Sequence, residues 1–274
     1  YTETENDLTV KANKRTFIFS KKDGQLKGVS VDNRKISFAN GPRFIGARRA
    51  DRSLDQFYNH DDEKAKEKDR TYSEFPDAAV FTKLDVKQDG GDLVVTANYK
   101  LGNLDKAQWT INPSGELALD YTYNFSGVVD LMGIRFDYPE DQVISKRWLG
   151  AGPYRVWQNR IHGTQYDVWE NDYNDPIPGE TFTYPEFKGY FGSVSWMNIR
   201  TKEGTISLTN ETPDAYIGVY QPRDGRDRLL YTLPESGISV LNVIPPVRNK
   251  VNSTALCGPS SQPKWVNGPQ TGRI

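Results

Sequence analysis

The chain has 274 residues, 35 basic against 36 acidic side chains, a formal charge of -1 and a mean hydropathy of -0.70. That length fits one or two domains with a full core, and balanced charge with no basic stripe excludes a dedicated nucleic-acid binder, which needs clustered, unopposed Lys and Arg. No apolar run reaches the roughly 18 residues of a membrane-spanning helix, and the single cysteine, Cys257, with only His60 and His162 beside it, excludes both an intramolecular disulfide and a Cys/His zinc cluster.

Fifteen Tyr, twelve Phe, six Trp, 23 Gly and 16 Pro suit short strands joined by tight turns. The chain opens at Tyr1 with neither a charged n-region nor an apolar h-region, so any secretory signal is expected to have been removed, and the compartment is not readable. Leu8 and Val10, then Phe17-Ile18-Phe19, a turn at Lys22-Asp23-Gly24, then Leu26, Val29 and Val31 and a turn at Asp32-Asn33 predict hairpins over 8–50. Residues 51–72 break that rhythm with a mixed-sign run including Asp61, Asp62, Glu63, Lys64, Lys66, Glu67 and Lys68. Such a run reads as a solvated loop with one helical turn at 62–68; a loop of this length is also a candidate lid or interdomain contact.

Strands are predicted again over 79–86, with a turn at Asp89-Gly90-Gly91-Asp92, and over 93–101 and 109–111. From 117 to 125 the odd positions, Leu117, Leu119, Tyr121, Tyr123 and Phe125, are apolar or aromatic, which is the period of a half-buried strand. Residues 131–200 are densest in aromatics and glycines, and strand signals return at Ile206-Ser207-Leu208, at 216–220 and at 238–244. With no linker and no fixed repeat, the prediction is a single all-β domain over 1–274, a large antiparallel β-sandwich.

The chemistry-bearing residues point to carbohydrate. Asp167, Glu170, Asp172, Asn174 and Asp175 gather oxygen ligands suited to Ca²⁺ or Na⁺, but Asp172-Tyr173-Asn174-Asp175-Pro176 lacks the Gly and Glu of an EF-hand loop and reads first as an Asx-rich turn. No cofactor is therefore expected; an ion, if held, falls to Asp172, Asn174 and Asp175. Cys257 has no His near it in sequence and reads as a quiet thiol, and neither a Gly-x-Ser-x-Gly elbow nor a phosphate-binding loop is present. Glu170, Glu180 and Glu186 lie among aromatics, but surface or structural carboxylates are the simpler reading.

The aromatic rings from Trp148 to Trp196 are interleaved with Arg155, Asn159, Arg160, His162, Glu186 and Lys188. Ring faces stack on the C–H face of a pyranose while guanidinium, amide and carboxylate groups bind its hydroxyls. The candidate sugar-binding residues are Trp148, Tyr154, Trp157, Asn159, Arg160, His162, Glu186 and Lys188. Burial of these rings in the core is the alternative.

Three ordered motifs then carry a resemblance: Leu131-Met132-Gly133-Ile134-Arg135-Phe136, Arg147-Trp148-Leu149-Gly150-Ala151-Gly152-Pro153-Tyr154 with Asn159-Arg160, and Tyr184-Pro185-Glu186-Phe187-Lys188-Gly189. Together with Gly41-Pro42-Arg43-Phe44 they resemble the C-terminal small-chain domain of glycoside hydrolase family 2 β-galactosidases. The resemblance implies a galactose-mutarotase-like supersandwich of two large sheets and a non-catalytic domain whose partner is the catalytic barrel of a larger enzyme. Val240 stands where that family places a Trp beside the barrel's sugar site, so substrate specificity is not carried over. Three functions stay open: a carbohydrate-binding accessory domain, a free-standing aldose epimerase using His162 as acid and Glu186 as base, and a structural partner-binding domain.

Overall fold

Left-handed turn residues set the strand pattern. Asp32 and Asn33 both have positive φ (48° and 63°) in the two-residue loop that pairs Val31 with Arg34, the backbone twist that tight hairpins require. A computed structural model describes residues 1–49, 72–173, 187–220, 233–247 and 258–274. The polar excursion over 51–72, Tyr72 apart, lies outside them, as do Asn174, Asp175, Glu186 and Cys257.

The strands run in chain order as β1 (Thr2–Glu3), β2 (Asp7–Ala12), β3 (Arg15–Ser20), β4 (Leu26–Val31), β5 (Arg34–Ile36), β6 (Ala39–Arg49) and β7 (Tyr72–Glu74). Next come β8 (Val80–Asp89), β9 (Asp92–Lys100), β10 (Leu104–Ile111), β11 (Leu117–Val129) and β12 (Leu131–Asp137). After them are β13 (Val143–Gly152), β14 (Gln165–Asp172), β15 (Trp196–Thr201), β16 (Gly204–Thr209), β17 (Tyr216–Val219), β18 (Ile238–Val243) and β19 (Lys264–Arg273). No α-helix occurs among the described residues, and none of their helices is long and apolar enough to cross a membrane.

Three antiparallel sheets result: ten strands along β1-β2-β3-β4-β6-β12-β18-β17 with β5 and β7 beside the path, five in the order β19-β11-β10-β9-β8, and four in the order β14-β13-β15-β16. One core cluster draws on all three, with Phe19, Phe44, Ile134 and Phe136 from the ten-stranded sheet, Val95, Trp109 and Tyr123 from the five-stranded sheet, and Trp148, Met197 and Ile199 from the four-stranded sheet. Trp109 sits between Phe19 and Phe136, its ring centroid 6.0 Å from each, and such aromatic pairs add roughly 0.5–1.5 kcal/mol beyond the area they bury. The expected all-β sandwich is present, but its second layer is divided into two sheets instead of one. Where they meet, side-chain and loop bonds replace a ladder: Glu211 N–H donates to Arg273 O (3.0 Å), and Arg273 N–H donates to Thr212 Oγ1 (2.9 Å).

The other face of the ten-stranded sheet carries a second cluster, Ile45, Ala47, Leu131, Leu241 and Ile244, completed by Val156, Trp157 and Tyr190 from the loops after β13 and before β15. By the period of two, Arg43 and Arg135 continue that face beyond the apolar patch.

Glu203, in the β15–β16 turn, ties the four-stranded sheet to the large one. Its carboxylate accepts from Ser37 N–H (3.0 Å), Ser37 O–H (2.7 Å) and Tyr138 O–H (2.8 Å). Burial works to raise the pKa of this acid, but the three hydrogen bonds outweigh it and hold the pKa below its ordinary 4.5. A carboxyl whose folded pKa is depressed adds stability above its unfolded pKa and loses it as the pH falls through the folded value. Glu203→Gln is therefore expected to lower stability by about 1–2 kcal/mol at neutral pH. The difference from wild type should shrink below about pH 4.5, which thermal melts at pH 7, 4.5 and 3 will read. A constant difference across that range would show that the charge of Glu203 contributes nothing.

Candidate functional site

The segment between β13 and β14 is short of regular structure yet heavily tied down. Val156 and Tyr190 exchange backbone hydrogen bonds in both directions, each 2.7 Å, and Arg155 N–H donates to Phe187 O (3.1 Å). Close approach at this bridge requires Gly189, since a Cβ there would overlap the Val156 carbonyl. The chain then turns tightly, with Arg160 N–H donating to Trp157 O (2.9 Å).

At the tip of that turn Gln158 donates to Ser260 O and Gln262 O (2.9 and 2.7 Å). Asn159 Nδ2 donates to Val247 O (2.7 Å) while its Oδ1 accepts from Val247 N–H (2.9 Å). This two-way amide clasp fixes the turn against the residues that follow β18.

The result is a hollow of about 210 Å³ lined by Tyr154, Asn159, Arg160, His162 and Phe187. Tyr154 packs edge-on against Phe187, with centroids 5.0 Å apart and an interplanar angle of 75°. The Tyr154 hydroxyl donates to His162 O (3.1 Å), closing the far side. Arg160 and His162 are exposed at the rim. The volume lies below the roughly 300–1,000 Å³ of drug-sized ligand sites, so the hollow suits one small ring. Its chemistry is a ring-edged wall with a guanidinium and an imidazole above it and an amide below that is already engaged.

Four of the eight sugar-binding candidates, Tyr154, Asn159, Arg160 and His162, thus meet in one place. Two do not, and they require a correction. Trp148 and Trp157 are fully buried and present no face to a ligand. Trp148 lies under Phe191, with centroids 4.8 Å apart, and donates its indole N–H to Ala151 O (3.0 Å), while Trp157 packs edge-on against Tyr190. These large rings gain more from leaving water than they would from standing open in a loop. Lys188 is 7% exposed and does not line the hollow. Glu186, and with it the pairing of His162 and Glu186 as acid and base, falls outside the described residues.

Phe187 was not among the candidates, and only its place in a dense aromatic run marked it. Of the suggested ion ligands, Asp172 is an exposed strand residue opposite Ser145, while Asn174 and Asp175 fall outside. Among the described residues no three His, Cys, Asp or Glu side chains converge. A second and larger cleft opens elsewhere, beside Arg43 and Arg135, and involves none of the expected residues.

The family model described as the β-galactosidase small chain matches residues 11–243. No curated protein matches the chain significantly. Among solved structures, a galactose mutarotase-like protein from Lactobacillus casei is similar at 12% sequence identity and a TM-score of 0.41, over 97% of this chain and 98% of that one.

Proposed function

This chain belongs to the β-galactosidase small-chain family, and from that premise we propose that it is a carbohydrate-binding accessory domain of a β-galactosidase-like glycoside hydrolase, packed beside that enzyme's catalytic barrel. The observation that carries the reading is the convergence of Tyr154, Asn159, Arg160 and His162 on one ring-edged hollow. Asn159 holds the floor, Tyr154 and Phe187 supply apolar edges, and Arg160 offers the fork of donors that a vicinal diol accepts.

Calorimetric titration with galactosides, glucuronides and rhamnosides tests this reading. Binding in the millimolar range or tighter is expected. Arg160→Ala should weaken it about tenfold, the equivalent of ~1.5 kcal/mol for a hydrogen bond to a charged group. Polarimetry of freshly dissolved galactose should show only the uncatalysed rate of mutarotation. Silence of the wild type across the three sugar classes would leave the chain a structural domain, and accelerated mutarotation would make it an enzyme.

A further inference from the structure

A cleft of about 580 Å³ opens beside Arg43 of β6 and Arg135 of β12, and is lined also by Asp137, Tyr138, Tyr220 and Glu235. Its size falls within the range of small-molecule sites. Arg43 and Arg135 stand directly opposite each other in the β6–β12 ladder, an arrangement of like charges that a sheet tolerates only when other groups offset it. Asp137 pairs with Arg43 and is itself held by Asn40 Nδ2 (3.1 Å). Arg135 donates to a backbone carbonyl, Glu235 O. The Nε–H groups of both arginines are buried with no acceptor against them. Five N–H donors on each guanidinium leave most of the donor capacity of the pair unspent.

The acceptors alternate with these donors. Asp137, Glu140 and Glu235 line the same cleft as the two guanidiniums, so carboxylates slightly outnumber cations and a phosphate or a polyanion is not the fitting ligand. Tyr138 and Tyr220 form the floor, with both hydroxyls committed: Tyr220 O–H donates to Tyr138 O, and Tyr138 O–H donates to Glu203. A sugar hydroxyl donates once and accepts twice. Adjacent hydroxyls on one ring therefore satisfy a guanidinium and a neighbouring carboxylate together, which neither a simple anion nor a simple cation does.

We propose that this cleft is a saccharide site separate from the Tyr154 hollow, and that it takes an uncharged mono- or disaccharide bridged between the Arg43–Arg135 pair and the carboxylates of Asp137 and Glu235. Glu140, which lines the cleft, and β13, which leads to the hollow, place the two sites at opposite ends of one ten-residue strand, roughly 30 Å apart at about 3.3 Å per residue. The sites are thus independent, and either exists without the other.

The test titrates lactose, cellobiose and maltose into wild type, Arg135→Lys, Glu235→Gln and the hollow variant Arg160→Ala, with a thermal melt of each to establish that it is folded. Arg135→Lys keeps the charge and removes the fork, and Glu235 is an exposed side chain, so both variants are expected to fold. At least one disaccharide should bind in a phase that survives Arg160→Ala and falls tenfold or more in Arg135→Lys and in Glu235→Gln. Glucuronate and inorganic phosphate should bind more weakly than that disaccharide. The proposal is overturned if no saccharide binding depends on Arg135 or Glu235, or if glucuronate or phosphate is preferred, which would make the cleft an anion site. Loss of binding in Arg160→Ala alone would uphold the hollow and sink the cleft.

Discussion

Trp148→Ala is expected to destabilise the protein by about 3–5 kcal/mol, the range for emptying a fully buried aromatic site. The ring is at the centre of β13, flanked across the ladder by Trp169 and Met197 and packed at its edge on Phe191. Its removal leaves a cavity in the cluster that joins all three sheets, and also frees the Ala151 carbonyl that accepts its N–H. Urea unfolding should show a lower midpoint with an unchanged slope, and the melting temperature should fall by roughly 6–20 °C. The sequence motif suggests a ligand platform at this position. If Trp148 were one, sugar binding would be lost with the midpoint intact.

Gly189→Ala is expected to cost about 2–4 kcal/mol, combining overpacking with two strained hydrogen bonds. The added Cβ would overlap the backbone of Val156 and crowd the Trp157 indole. The bridge between Val156 and Tyr190 must then open, and with it the segment that carries Tyr154, Asn159 and Arg160. Stability and sugar affinity should fall together. Gly91→Ala is the matched control: its Cβ would meet only Pro113, at an ordinary 3.5 Å, and its midpoint should lie within about 0.5 kcal/mol of wild type. Equal behaviour of the two variants would mean that the Val156–Tyr190 bridge does not shape the hollow.

The strands were readable where one face is wet. Leu119, Tyr121 and Tyr123 are buried while Asp120, Thr122 and Asn124 are not, so the alternation in the sequence reports a real difference in environment. The turn at Asp89–Asp92 was readable for a similar reason, because Gly90 takes up the left-handed conformation that joins β8 to β9. Division of the second layer into two sheets was not readable. It depends on which strand edges meet, and no local pattern encodes that.

The same contrast divides the sites. Tyr154, Asn159, Arg160 and His162 lie within nine consecutive positions, and one tight turn suffices to gather them. Trp148 and Trp157 belong to the same stretch and carry the same chemical promise, but the surrounding sheets bury them. Arg43 and Arg135 stand in two separate motifs of the sequence, and become a pair only because β6 and β12 align in register.

Local chemistry alone determined that this chain forms antiparallel strands, where many of its turns fall, and which short loop is dense in rings and polar anchors. Tertiary packing decided which of those rings reach solvent, what stands behind the hollow, and that two distant arginines share a cleft. The reason is that periodicity and turn preference act over a few residues, whereas burial and cross-strand neighbours are set by the whole stack of sheets.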